Sequence, residues 1–384
     1  MSASHQRHLE RVRRAMREWG VDLMFLPFGS DLTYVAGLEP PLYYRGIKSK
    51  GDWVTGLVFG VEEEPVLILH RSFAAGNVEN KTWIEDIRVL TEDKNPDAFL
   101  SSVLSDFQPR GRKVAVTKRL WARTLMELQS AAPGAEFVPA TDLMMDKVRA
   151  VKDEDEIALM QRAAEITDDV LQATLDRLEI GMTERDVAVE VVHQIRLHGG
   201  DDYSFFPGII CVGNGSDPDR HIMTRNTDMT LDPGTTVAFD FGVRYEGYCS
   251  DFGRSVFVGE PLPAALAAYE CITSGAQTVM AEMADGAMRP YETHQMMWGL
   301  TEEAGFDEWY YKWGLGHGIG LDVHESPWLR EGYEEPIQAG MCFTIEPKIW
   351  KPGEFYVRSE DVVVVREDRA EPLTKFHYEP NILS

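Results

Sequence analysis

The apolar positions in the first third of the chain change period several times. Leu9, Val12, Ala15 and Met16 recur three and four apart between His8 and Trp19, a helical stripe that Gly20 ends. Asp22 to Phe28 is a short apolar run, the pattern of a buried strand. Trp53 to Gly60 and Pro65 to His70 repeat that pattern on either side of the polar turn Val61 to Glu64. Ala98 to Phe107 predicts a helix, Lys113 to Thr117 a strand, and Ala122 to Ala131 another helix closed by the Pro133-Gly134 turn. Strands interleaved with helices predict an α/β layer built on a sheet.

The pattern then changes. Asp142 to Leu178 is almost continuously helical, with Val148, Ile157, Met160, Ala163 and Ile166 among its apolar positions and Thr141 or Asp142 as a cap. A second helix is predicted over Thr183 to Leu197. Strands are predicted at Tyr203 to Val212, Thr236 to Phe241 and Arg254 to Val258. Pro263 to Met283 and Pro290 to Ala304 read as helices with proline in the first turn. Phe343 to Ile349 and Asp361 to Glu367 read as the last strands. The junction falls between Pro139 and Lys152, which divides the chain into domains 1–145 and 146–384. The order of helices and strands over residues 150–258 is loosely echoed over 263–365, a faint sign of internal duplication.

Charge narrows the partners. The 384 residues carry 63 acidic and 38 basic side chains, a net −25. A field of that sign repels nucleic acid and anionic membrane surfaces, and no basic stripe offsets it. Arg11 to Arg17 reads as the polar face of the first helix. No apolar run approaches the ~18 residues of a membrane span, and Met1 to Arg14 has no apolar targeting core. The cytoplasm is the expected location. Cys211, Cys249, Cys271 and Cys342 lie far apart without metal or redox spacing and are expected as free thiols.

Candidate chemistry is confined to four segments of the second half. They are Phe239-Asp240-Phe241-Gly242 with Tyr248 to Arg254, Gly316 to Pro327, Phe343-Thr344-Ile345-Glu346-Pro347, and Arg358-Ser359-Glu360-Asp361. Asp240 and Glu346 each end an apolar run, where an unpartnered carboxylate is costly to bury. Several such carboxylates on neighbouring strands repel one another, and divalent cations are the usual remedy.

The spacing Asp240-x10-Asp251, then Gly-His-Gly-Ile-Gly, then Thr-Ile-Glu-Pro, then Arg-x-Glu-Asp resembles the metallopeptidases of the pita-bread fold. That group contains methionine aminopeptidase, aminopeptidase P, prolidase and creatinase. The likeness spans residues 148–366, and Val148 to Lys152 with Glu156-Ile157 resembles the first helix of the catalytic domain. The first half resembles the α/β N-terminal domain of the creatinase and prolidase branch, which implies that domain followed by an α+β pita-bread domain. The resemblance implies five metal ligands. Asp240 would hold one ion, Asp251 and Glu360 would bridge two, and His317 with Glu346 would complete the second. Four carboxylates and an imidazole suit Mn, Co, Fe or Zn. Two such ions would lower the pKa of a water held between them.

The resemblance also implies roles beside the ions. His324 would donate to the substrate carbonyl and its developing oxyanion, and His221 would bind substrate near the scissile bond. Glu346 would also carry the proton to the leaving nitrogen, and Arg358 would pair with Asp or Glu neighbours or orient substrate. The plainer alternatives are a surface His221, a structural His324 and a surface ion pair at Arg358. Trp309 to Trp313 lacks the further histidine that aminopeptidase P and prolidase carry there. Trp313 is its nearest counterpart, either as core packing or as an aromatic face for a proline ring or a cationic group. Tyr43, Tyr44, Arg45 and Trp53 surround a loop of the first domain, and creatinase relatives are homodimers in which this domain caps the partner's site. A solvated loop is the plainer alternative.

The expected function is therefore a dinuclear-metal hydrolase that cleaves peptides as an Xaa-Pro dipeptidase or aminopeptidase. Two alternatives share the fold: a hydrolase or lyase of a small zwitterionic or cationic osmolyte, and a non-enzymatic binding module.

Overall fold

The protein is described from a computed structural model covering residues 2–39, 50–74, 81–213, 216–221 and 223–384. It divides into two compact units, residues 1–149 and 150–384. In the first, the Ser2–Trp19 helix buries Leu9, Val12 and Met16. Six strands follow in chain order: β1 Leu23–Pro27, β2 Gly56–Gly60, β3 Val66–His70, β4 Asp86–Leu90, β5 Lys113–Val116 and β6 Glu136–Pro139. They form one mixed sheet in the order β4-β3-β2-β1-β5-β6. β1 is antiparallel to β2, parallel to β5, and buried between them.

The periodicity did not reveal β4 and β6, for a physical reason. Both are sheet edges and most of their positions are half-buried or exposed, so neither carries an unbroken apolar run. Trp53 lies in a short 3₁₀ turn, Asp52–Val54. Its carbonyl accepts from Thr124 Oγ1 at 2.8 Å, and the Arg123 guanidinium lies 5.2 Å from its ring. Tyr43, Tyr44 and Arg45 lie outside the described residues.

The second unit corrects the long helix predicted from Asp142. A helical stretch, Leu143–Arg149, ends the first unit, and the next helix starts only at Glu154 and runs to Leu175. Between them the backbone is extended, and Lys152 N donates to Gly340 O at 2.8 Å. Asp153 then caps the helix, its side chain accepting from Glu156 N while Glu156 reaches back to Asp153 N. Glu184–Leu197 is the second helix of this half, and Pro263–Glu282 with Pro290–Glu303 is the pair in the other.

The strands of this unit are β7 Asp202–Tyr203, β8 Gly208–Gly213, β9 Thr235–Asp240, β10 Val243–Tyr245, β11 Tyr248–Cys249 and β12 Ser255–Val258. They continue with β13 His317–Gly318, β14 Glu325–Trp328, β15 Cys342–Ile345, β16 Lys348–Lys351, β17 Phe355–Arg358, β18 Asp361–Val365, β19 Ala370–Pro372 and β20 Asn381–Leu383. One sheet runs β20-β12-β9-β8 and another β14-β13-β15-β18-β19. The strand predicted over Phe343 to Ile349 is broken at Pro347, which has no N–H for the ladder, so β15 and β16 join different sheets.

Each sheet has its own core. Ile166, Val170, Val187 and Val191 from the first helix pair pack with Phe239 and Phe241. Tyr269, Ile272, Val279 and Met297 from the second pack with Phe343 and Val357. The second unit thus repeats a plan of two helices on a sheet. All four cysteines are free, and among the described residues no helix is long and apolar enough to cross a membrane.

Candidate metal centre

Strand register brings the predicted ligands into one row. Ala238 pairs with Ser255 and Phe241 bridges Phe252, so Asp240 at the end of β9 lies across from Gly253, two residues after Asp251. Gly253 bridges Glu360, joining the two halves. On the far side Ile345 pairs with Asp361, which sets Glu346 across from Glu360. Glu346 N donates to Leu315 O at 2.8 Å, and His317 N to Thr344 Oγ1 at 3.1 Å, which seats His317 beside Glu346. Gly253 is required here because a Cβ would stand 2.8 Å from Arg358 Nε and 2.7 Å from Phe239 O.

All five predicted ligands are buried or nearly so, and four of them are carboxylates. Asp251, His317 and Glu360 offer ligand atoms within 4.8 Å of one another. His317 Nδ1 lies 3.0 Å from Gly318 O, which can only accept, so Nδ1 carries the proton. Burial holds the ring down at about 4, hence neutral. Nε2 therefore presents a lone pair, and it faces Asp251 Oδ2 at 3.6 Å and Glu346 Oε1 at 3.4 Å.

A lone pair aimed at two carboxylate oxygens is an arrangement that a cation between them would satisfy. Asp251 Oδ1 and Glu360 Oε1 are also buried and, among the described residues, without a hydrogen-bond partner. Burial and the neighbouring carboxylates push Asp251 well above its ordinary range. Burial lifts Glu360 to about 8 against the pull of Arg358. Buried anions in this state fit a divalent metal.

Protein cations lie on the same cluster. Arg358, on β17, reaches Asp240 Oδ2 at 2.5 Å, Glu346 Oε2 at 3.3 Å and Glu360 Oε2. Lys348 Nζ is 2.6 Å from Glu346 Oε2 and 4.9 Å from the centre of the Tyr311 ring. Burial would raise the Glu346 carboxyl, but Lys348 and Arg358 overcome it and hold it at about 2. Arg225 Nη1 donates to Asp240 Oδ2 at 2.8 Å. Sequence reasoning singled out Arg358 but missed Lys348 and Arg225.

His324 stands beside the predicted ligands. Its ring centroid is 4.3 Å from that of His317, and the Trp328 ring stacks on it at 5.4 Å and 7°. Loss of hydration lowers its pKa, against the pull of Glu346 and Asp240. The next residue, Glu325, pairs with Lys152 at 3.1 Å, the two side chains being 1% and 2% exposed. That pair anchors the turn holding His324.

Two predicted substrate residues stand apart. His221 is exposed, its Nδ1 accepting from Met223 N at 3.1 Å. Among the described residues no hydrogen bond or ion pair joins it to the carboxylates. Arg225, four residues on, makes that contact instead. Trp313 is 76% exposed and does not belong to the core. Tyr311 is the member of its aromatic stretch that meets a charge of the cluster, through Lys348.

The chain is similar to known proteins over its whole length. A sequence profile of Metallopeptidase family M24 matches residues 158–367, and one of the Creatinase/Prolidase N-terminal domain matches residues 8–151. The chain is 32% identical over 344 residues to the Xaa-Pro dipeptidase of Lactobacillus helveticus, covering 88% of this chain and 91% of that one. It is 27% identical over 356 residues to the Xaa-Pro dipeptidase of Lactobacillus delbrueckii subsp. lactis, covering 92% and 95%. The recombinant prolidase of Thermococcus sibiricus superposes with a TM-score of 0.87 at 26% identity over 100% of both chains.

The chain belongs to metallopeptidase family M24, in the creatinase, prolidase and aminopeptidase P group. Its first part is the creatinase-type α/β domain and its second the pita-bread domain. It is a metal-dependent peptidase, a hydrolase, and the relatives favour neither the osmolyte enzyme nor the binding module.

Proposed function

We propose that the chain is a dinuclear-metal Xaa-Pro peptidase, a dipeptidase or an aminopeptidase, and that its substrate is a small peptide. The observation that carries the metal reading is the His317 Nε2 lone pair facing Asp251 and Glu346 at 3.6 and 3.4 Å. The unpartnered buried oxygens of Asp251 and Glu360 support it. The proline preference rests on the Xaa-Pro dipeptidases and the prolidase to which the chain is similar.

In this reading Asp240, Asp251, His317, Glu346 and Glu360 would hold the two ions, Asp251 and Glu360 serving both. Mn, Co, Fe or Zn suits the hard, mostly oxygen set. When bound, the ions supply Lewis acidity and an acidified water as nucleophile. The remaining steps fall to side chains. His324, held by its stack on Trp328, donates a hydrogen bond to the carbonyl oxygen as negative charge builds there. The Glu346 carboxylate takes the proton that the attacking water gives up and delivers it to the leaving nitrogen, so that an amine departs rather than an amide anion. Arg358 orients substrate from the centre of the row. His221 and Trp313 contact the substrate from the rim, as exposed groups can.

We assign residues 1–145 to the N-terminal domain and 146–384 to the catalytic domain. The homodimer and the cytoplasmic location belong to the same proposal. The test loads metal-stripped protein with Mn²⁺, Co²⁺ or Zn²⁺. It then assays Ala-Pro, a longer Xaa-Pro peptide, a non-proline dipeptide and a cationic osmolyte. Metal-dependent cleavage of an Xaa-Pro bond is expected. Cleavage confined to the non-proline dipeptide or the osmolyte overturns the proline assignment.

A further inference from the structure

The two ligands at the outside of the row each carry two protein cations on a single oxygen. Asp240 Oδ2 is met by Arg225 at 2.8 Å and Arg358 at 2.5 Å. Glu346 Oε2 is met by Lys348 at 2.6 Å and Arg358 at 3.3 Å, while its other oxygen faces His317. The two inner carboxylates differ. Asp251 Oδ1 and Glu360 Oε1 remain buried and unpartnered.

Arg358 touches three carboxylates and serves the row as a whole. Arg225 and Lys348 each touch one, from different elements, and each is held in place. Lys348 lies between Glu346 and the face of Tyr311, with its side chain 15% exposed. Arg225 passes over Gly208, where a Cβ would stand 2.4 Å from Nη1, so the missing side chain is what lets it reach Asp240.

A donor on one carboxylate oxygen has two consequences for a divalent ion. Together with Arg358 it fills the lone pairs of that oxygen, so the ligand has only the other to offer. It also places a like charge beside the ion in a poorly hydrated site, where repulsion is weakly screened. We propose that Lys348 and Arg225 are positioning residues that hold Glu346 and Asp240 to one metal-facing oxygen each and weaken the hold on the ions. The site then binds its metal more loosely than its five ligands alone would. This inference rests on the dinuclear reading above.

The test is equilibrium dialysis of Mn²⁺ against metal-stripped full-length protein, with melting curves of both forms. Lys348→Met and Arg225→Met are each expected to lower the Mn²⁺ Kd at least tenfold. Lys348→Arg keeps the charge and is expected to stay within threefold of the unaltered protein. Without metal, the melting temperature of Lys348→Met falls, because Glu346 has lost a partner, and Mn²⁺ raises it by more than in the unaltered protein. General damage to the site would weaken metal binding, so tighter binding separates this role from a merely structural one. Arg225 is on a partly exposed loop and carries the test if Lys348→Met does not fold. An unchanged or raised Kd in a folded variant overturns the inference while leaving the dinuclear reading in place. An unaltered chain that binds no Mn²⁺ overturns both.

Discussion

Arg254→Met probes the support beneath the metal row. Arg254 and Asp361 are 0% and 1% exposed and lie 2.8 Å apart. Arg254 Nη1 also donates to Gly253 O at 2.9 Å and Glu360 O at 2.8 Å, and Nη2 to Phe376 O at 3.1 Å. The rings of Phe252 and Tyr378 flank the guanidinium at 4.5 and 4.8 Å. One side chain therefore ties the backbone after Asp251 to Glu360 and to the C-terminal segment. Methionine fills much of the volume but donates nothing. Asp361 keeps Thr374 Oγ1 at 2.7 Å and Tyr378 OH at 3.1 Å, yet loses its countercharge. Breaking a buried pair from one side costs about 3–5 kcal/mol. At about 2–4 °C per kcal/mol for a domain of this size, the melting temperature of the catalytic unit should fall by roughly 6–20 °C. Calorimetry of the metal-free protein measures this; the metal content of a separate, metal-loaded sample should also fall. Adding Asp361→Asn removes the uncompensated charge and should recover part of the loss. A fall below about 2 °C, or a double variant no better than the single, refutes the reasoning.

Further outcomes follow from the site. Asp251→Ala and Glu360→Ala should lose divalent metal and turnover together, whereas Asp240→Ala should lose chiefly one ion; elemental analysis beside the peptidase assay decides, and full metal content in all three counts against the row. His324→Ala should keep its metal while kcat falls by roughly 10²–10³, the usual cost of one oxyanion donor, and His317→Ala should lose metal as well. Equal metal loss in both would make His324 a ligand. Glu325→Ala should lower stability by about 3–5 kcal/mol in chemical denaturation, because Lys152 is left charged and buried without its anion. Trp313→His adds an imidazole able to meet a substrate carboxylate, and should move kcat/KM toward free Xaa-Pro dipeptides over longer Xaa-Pro peptides by about 1–2 kcal/mol, one polar contact. An unaltered enzyme that already prefers Ala-Pro would make Trp313 irrelevant to that choice.

What could be read before the fold was known follows the cost of burial. Asp240, Asp251, Glu346 and Glu360 stand inside or beside apolar runs. A carboxylate there is so unfavourable without a cation that its position alone carries information. The glycines around His317 and beside Asp251 are equally visible because strands must approach closely there. What the spacing does not contain is the row itself. The pairing of Ile345 with Asp361, and the bridge from Gly253 to Glu360, join residues that nothing local connects. The same holds for Lys152 and Glu325, separated by 173 positions.

The cations were the least legible part, for a reason of side-chain length. A ligand carboxylate is short and must stand on a backbone already in place, so it falls within a tight motif. Lysine and arginine reach across several ångströms and can serve one carboxylate from many backbone positions. Arg225 comes from a loop and needs only the gap at Gly208. Lys348 lies two residues beyond Glu346, yet Pro347 ends the apolar run there, and strand alternation no longer predicts which side it takes. His221 shows the converse. It is the histidine that local sequence offers for that loop, but it caps its own turn while Arg225 makes the contact with Asp240. The ligands proposed for this centre are thus legible in local chemistry, whereas the charge that balances them depends on tertiary placement.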